Sequence, residues 1–168
     1  MMKAHDQRVD NNRYTVIPRT LAFLCSCDEV LLIRYNNTKG EWSGRMNGLG
    51  GHIEQGEDPL SAMRRELQEE AGLTDIGLYL CGTILIDTGD EPGVAIYVYY
   101  AELPQRLPFE ASLEGELVWY NLKDLATAPL LDDVRAILPA AIEAAHNRTS
   151  FSAVYHADPT GRLHVDFA

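Results

Sequence analysis

The sequence predicts an α/β fold in which strands and two helices share a mixed sheet. Three observations predict it. Short β-rich runs, beginning with Leu21–Cys27 and Val30–Arg34, recur between clusters of Gly, Asn, Asp and Pro. A helix with clear start and stop signals follows the first strands, and an Ala-rich helix precedes the last two. The chain has 168 residues, no internal repeat and no long linker, which is the size of one domain.

In chain order, the polar stretch Met1–Thr15 lacks the apolar segment of a signal peptide and reads as a flexible tail, leaving residues 16–168 as a single domain. Leu21–Cys27 and Val30–Arg34 flank Asp28-Glu29 as a hairpin. From Gly40 to Gly56, Gly44, Asn47, Gly48, Gly50 and Gly51 break an extended segment into tight loops. Asp58 caps the next helix, Pro59 suits its first position and Gly72 its exit. Ile76–Asp87 and Val94–Leu103 are strands around a turn at Gly89-Asp90-Glu91-Pro92-Gly93, and Leu117–Tyr120 is another. Val134–His146 reads as the second helix, kinked at Pro139. Phe151–His156 and Leu163–Phe167, around Asp158-Pro159-Thr160-Gly161, form a C-terminal hairpin.

Composition narrows the function. There are 25 acidic and 14 basic side chains, a formal net charge of −11. That excess argues against a nucleic-acid polymer as partner, since binding many phosphates needs clustered Lys and Arg. No apolar stretch approaches the roughly 20 residues that span a bilayer. Cys25, Cys27 and Cys81 are too few for a disulfide framework and fit a reducing cytoplasm; the Cys25-Ser-Cys27 pair reads as strand rather than metal site.

About a third of that acidic excess falls between Gly51 and Leu73, where Glu54, Glu57, Asp58, Glu66, Glu69 and Glu70 stand against Arg64 and Arg65, and the rest is spread along the chain. Leu60, Met63, Leu67 and Ala71 form the core-facing stripe of the first helix. Glu66 and Glu70 lie about 40° apart around the axis and Glu69 about 60° from Glu66, so three carboxylates share one flank. Like charges at this spacing are unfavourable. Oxygen ligands converging on one point suit Mg²⁺ or Mn²⁺, whereas a merely solvated acidic face is the plainer alternative.

From Gly51 the chain reads GHIEQGEDPLSAMRRELQEEAGL. This stretch resembles the Nudix box at every specified position: Gly51, Glu57, Arg65-Glu66-Leu67, Glu69-Glu70 and Gly72-Leu73. The resemblance implies an α/β/α sandwich around a mixed, largely antiparallel curled sheet, and a hydrolase that cleaves nucleoside diphosphates linked to another moiety with divalent cations, Mg²⁺ or Mn²⁺ in its place. It implies that Glu66, Glu69 and Glu70, with the Gly50 carbonyl, are metal ligands, one glutamate also orienting or deprotonating water. Arg65 then orients the glutamates and Glu57 supports the loop–helix junction. A later glutamate often completes such a site; of Glu110, Glu114 and Glu116, the last two are the better candidates. The chemistry agrees, because an activated phosphoanhydride chiefly needs its charge neutralised and water aligned.

Marks outside the box bear on the substrate. The proline typical of members acting on ADP-ribose and the tyrosine typical of those acting on diadenosine polyphosphates fall about where this chain has Thr88 and Gly89. The run Met46-Asn47-Gly48-Leu49-Gly50-Gly51 is similar to the WNGxGG stretch of MutT-like enzymes that remove 8-oxo-dGTP, with Met46 in place of Trp and His52 in place of Lys. Asn47 can read a purine edge, since its amide both donates and accepts. His52 and Arg34 are candidate phosphate contacts, and Trp119 is either a base-stacking or a core tryptophan.

The leading expectation is therefore Mg²⁺-dependent hydrolysis of a nucleoside triphosphate, such as an oxidised purine, to monophosphate and pyrophosphate. The alternatives are the same chemistry on ADP-ribose, a nucleotide sugar or another diphosphate derivative, and a regulator that binds a nucleotide without cleaving it. A small-molecule nucleotide is the expected partner, with no membrane, for a cytoplasmic monomer or homodimer.

Overall fold

The computed structural model describes residues 13–89, 92–158 and 163–168. Most of the expected tail, the middle of the turn after Gly89 and the tip of the C-terminal hairpin lie outside them. Strands β1 (Val16–Ser26) and β2 (Glu29–Tyr35) come first, then a 3₁₀ segment (Asn37–Trp42) and the short β3 (Met46–Asn47). Helix α1 (Pro59–Ala71), β4 (Tyr79–Ile86), β5 (Gly93–Glu102) and β6 (Gly115–Asn121) follow. Helix α2 (Asp132–Asn147) and the strands β7 (Phe151–Ala157) and β8 (Leu163–Phe167) end the chain.

The strands form one sheet in the order β3-β2-β1-β5-β4-β7-β8, with β6 also paired to β2. It is mixed: β1 runs parallel to β5 and β4 parallel to β7, while the other pairs are antiparallel. The helices cover opposite faces. Leu21, Phe23 and Cys25 of β1 pack with Val134, Ile137, Leu138 and Ala141 of α2, whereas Ala22 and Leu24 pack with Met63, Leu67 and Ala71 of α1. This explains why Leu21–Ser26 is buried without alternation: a strand covered on both faces has no solvent side.

α1 forms where its end signals place it. Asp58 Oδ1 accepts from the N–H of Leu60 (2.9 Å) and Ser61 (3.1 Å). Gly72, at φ +66°, closes the helix through its N–H to Gln68 O at 3.0 Å.

Three expectations are corrected. β1 starts at Val16 rather than Leu21, because parallel pairing with β5 from Val16↔Gly93 to Cys25↔Glu102 recruits the five residues before Leu21, Pro18 and Arg19 among them. β4 starts at Tyr79, since Ile76 is buried beneath α1 as part of a loop. α2 begins at Asp132 rather than Val134 and runs to Asn147 with Pro139 inside it.

One irregularity positions the functional loop. β1 and β2 pair only near their hairpin, from Leu24↔Leu31 to Ser26↔Glu29, and then separate. Residues 46–53 fill the gap, pairing first with β2 (Ile33↔Asn47) and then with β1 (Ala22↔Leu49, Arg19↔His52). The same segment holds the start of α2: Met46 donates to Pro129 O and accepts from Leu131 N–H at 2.8 and 2.9 Å.

Candidate active site

The loop from Gly48 to Gly51 lies against β1 on one side and α1 on the other. Thr20 N–H donates to Gly51 O (2.8 Å) and Ala22 N–H to Leu49 O (2.7 Å), so both carbonyls flanking that of Gly50 are committed to β1. Gly50 adopts φ +142°, and a Cβ there would sit 2.3 Å from Thr20 O. A Cβ on Gly51 would lie 2.6 Å from Glu66 Oε1. Glycines therefore let the loop approach the glutamates of α1 directly.

Arg65 organises the carboxylates. Its Nε and Nη2 contact the two oxygens of Glu57 at 2.8 and 3.0 Å. Nη1 donates to Glu66 at 2.8 Å and Glu69 at 3.0 Å, and Nη2 also reaches His52 O at 2.9 Å. A planar guanidinium suits this task, because its donors diverge at fixed angles. The Arg65 guanidinium holds the Glu57 carboxyl below the usual carboxylate range.

Glu70 is the buried member, only 6% exposed, and accepts from Gly50 N–H at 2.7 Å. Burial, with a smaller push from the nearby Glu114 and Glu66, raises its carboxyl to about 8 against the opposing Gly50 hydrogen bond. Glu66 is raised too, chiefly by burial, with Arg65 opposing. Glu69 is more exposed.

The helical wheel correctly puts Glu66, Glu69 and Glu70 on one flank, but their oxygens are turned to Arg65 and Gly50. Among the described residues, no three His, Cys, Asp or Glu side chains stand together as a finished metal cage. The donor set still fits a hard divalent cation. It consists of carboxylate and carbonyl oxygens, the hard ligands that such a cation takes.

The structure separates the later glutamates. Glu114 lies within electrostatic reach of both Glu66 and Glu70. Glu116 is held on β6 opposite Arg34 of β2 and ion-pairs with it at 3.3 Å. Glu110 instead packs its side chain over Gly72, at the far end of α1. Arg34 is thus already engaged by a neighbouring carboxylate. His52 contributes its backbone carbonyl to Arg65, while its side chain is exposed.

A cleft of about 320 Å³ runs from this loop towards α2, lined by Thr20, Tyr35, Trp42, Asn47, Gly50, Gly51 and Asp133 among others. Asn47 Nδ2 donates to Tyr35 Oη at 3.0 Å and its Oδ1 accepts from Gly48 N–H at 2.8 Å, which fixes the amide's orientation. Burial raises the Asp133 carboxyl, with the Val134 N–H opposing. Thr20 Oγ1 and Arg19 Nε, both on the cleft wall, are buried with no hydrogen-bond partner among the described residues. Trp42, 45% exposed, stacks on Tyr35 with ring centroids 5.9 Å apart. A larger hollow of about 660 Å³ lies behind α1 but contains none of Glu57, Glu66, Glu69 and Glu70.

Trp119 is half-buried. It packs against the hydrophobic cluster under α1, because its position opposite Leu31 on β6 turns it to that face. Trp42 is the tryptophan of the cleft. Sequence reasoning missed Trp42, Tyr35, Thr20 and Asp133, and also Lys39, whose Nζ lies 2.8 Å from Glu114. Asp133 carried a signal only as an acidic residue near a helix start, which a helix dipole explains equally well.

Comparison with known proteins agrees with this fold. Residues 16–141 match the NUDIX domain. An oxidized purine nucleoside triphosphate hydrolase of Mus musculus is 30% identical over 96 residues, which cover 56% of this chain and 61% of that protein. The chain thus spans less than two thirds of that relative. A MutT protein from Bacillus halodurans superposes with a TM-score of 0.73 at 22% identity, covering 90% of this chain and 97% of that one. A NUDIX-family hydrolase from Clostridium perfringens gives 0.60 at 26% identity, over 76% and 97%. With the box intact and three quarters of its length inside the matched region, the chain belongs to the NUDIX family.

Proposed function

We propose that this protein hydrolyses a nucleoside triphosphate, with an oxidised purine such as 8-oxo-dGTP as the preferred base, to the monophosphate and pyrophosphate. The observation that carries this reading is the continuity of one cleft. Asn47 and Asp133 line it together with Gly50 and Gly51, which lie against Glu70 and Glu66. An amide that both donates and accepts, beside a carboxyl, can read a purine edge. The likeness to the Mus musculus hydrolase supports the same substrate class.

Glu66, Glu69, Glu70, the Gly50 carbonyl and Glu114 would hold the divalent ion, Mg²⁺ with Mn²⁺ able to replace it. When bound, that ion neutralises the phosphate oxygens and acidifies water. Arg65 positions Glu66 and Glu69, one of which accepts the proton of the water that attacks phosphorus as the pyrophosphate oxygen departs. Residues 16–168 act as one cytoplasmic domain on a small molecule, as a monomer or homodimer.

The test is a comparison of kcat/KM across nucleoside triphosphates, oxidised purines, ADP-ribose and nucleotide sugars. The oxidised purine triphosphate should lead, and Asp133→Ala should lower its kcat/KM by about 10- to 100-fold, in keeping with the loss of a buried polar contact. A preference for ADP-ribose would overturn the substrate assignment while leaving the hydrolytic chemistry in place.

A further inference from the structure

Asn36 ties the 3₁₀ segment after β2 to the strand entrance before β6. Its backbone N–H donates to Glu114 O at 3.1 Å, its Nδ2 donates to Leu113 O at 2.9 Å, and its Oδ1 accepts from Thr38 N–H at 2.9 Å. Lys39 follows one turn later and is thereby aimed at the carboxylate it meets, with Nζ 2.8 Å from Glu114 Oε2. Its ammonium also lies 5.6 Å from the centre of the Tyr35 ring, whose hydroxyl holds Asn47. Lys39 is close enough to Glu70 for its charge to favour the ionised carboxylate there. The two cations in this region thus divide the work: Arg65 takes Glu57, Glu66 and Glu69, and Lys39 takes Glu114.

The two arrangements differ in permanence. Arg65 is locked by five contacts, including the backbone of the loop. The Lys39–Glu114 pair is a single contact between side chains 30% and 44% exposed. Half-exposed single ion pairs are weak, and an ammonium on a four-carbon stem can swing away without moving the backbone. A divalent cation outcompetes a monovalent one for the same carboxylate on charge alone.

We infer that Lys39 is a displaceable positioning residue that occupies Glu114 in the free protein and competes with the divalent ion for that carboxylate. This inference rests on the placement of Glu114 among the metal ligands. Lys39 keeps a carboxylate of the site oriented before metal arrives, at the cost of weaker metal binding. Once displaced, the ammonium remains tethered beside the cleft.

Mn²⁺ binding to the full chain without nucleotide tests this, by calorimetry or by electron paramagnetic resonance of the free ion. Lys39→Met, which keeps the stem over Tyr35 and removes the charge, should bind Mn²⁺ about 3- to 10-fold more tightly. Lys39→Arg should stay within about twofold of the parent. Glu114→Gln should bind more weakly, and adding Lys39→Met to it should change affinity by less than about twofold. Unchanged or weaker binding by Lys39→Met overturns the competition. An equal gain in the Glu114→Gln background also overturns it, since general repulsion would then explain the effect. If Glu114→Gln leaves Mn²⁺ affinity unchanged while turnover remains metal-dependent, the Glu114 assignment fails and the hydrolase reading survives.

Discussion

The backbone N–H of Gly50 donates to Glu70 at 2.7 Å, joining the loop before α1 to the last turn of that helix. Gly50 has no side chain to keep the two apart, and Glu70 has almost no exposure to water. The bond therefore joins a conformation that favours glycine to a carboxyl whose charge the fold disfavours.

That carboxyl makes stability depend on pH in the metal-free protein. Burial raises Glu70 from 4.5 to about 8, so between those values the folded state holds a proton that the unfolded state has released. Stability is then greatest near the lower value and falls as pH rises through the window. In chelator, the Tm should drop by several degrees between about pH 5 and about pH 8, and Glu70→Gln should flatten the profile. Mg²⁺ should restore most of the loss by binding only the folded form. A metal-free Tm that rises across this window contradicts the account of Glu70.

Neighbouring glycines should fail in different ways. Gly50→Ala puts a Cβ 2.3 Å from the Thr20 carbonyl at φ +142°, and neither strand nor loop can yield cheaply. It should cost at least about 2 kcal/mol in denaturant unfolding. Gly51→Ala meets the flexible end of Glu66 at 2.6 Å instead, so the carboxylate moves. Turnover should fall by at least about tenfold, with stability changed by less than about 1 kcal/mol. Similar stability losses in both variants would contradict this contrast.

Arg65 cannot be replaced by lysine. The fork spans Glu57, Glu66, Glu69 and the His52 carbonyl, and one ammonium cannot reach all four. Arg65→Lys should retain the fold yet lower kcat by about 10- to 100-fold, with Arg65→Ala lower still. Steady-state kinetics alongside circular dichroism distinguishes this from unfolding. Parent-like kcat in Arg65→Lys would show that charge alone suffices.

Much of the fold was legible where its causes are local. Asp58, Pro59 and Gly72 fix the ends of α1 through contacts within three or four residues, so its span is readable directly. The strand limits that changed were those set by distant partners. Val16–Thr20 becomes strand only because β5 lies alongside it, and Ile76 leaves β4 because α1 covers it.

The sequence by itself determined the chemistry on offer: an acidic helix flank with Arg65 among its glutamates, behind a glycine-rich loop. Those residues lie within about two dozen positions, and helical periodicity brings the carboxylates to one side. Only the tertiary structure decided which distant residues join them. The β2–β6 register commits Glu116 to Arg34, and the Asn36 contacts bring Lys39 to Glu114. Pairing of Met46 with the segment before α2 sets Asp133 beside Asn47 in the cleft, while Trp119 packs half-buried under α1 and Trp42 goes to the cleft wall. These choices depend on strand register and burial between elements far apart in the chain, where local spacing carries no information.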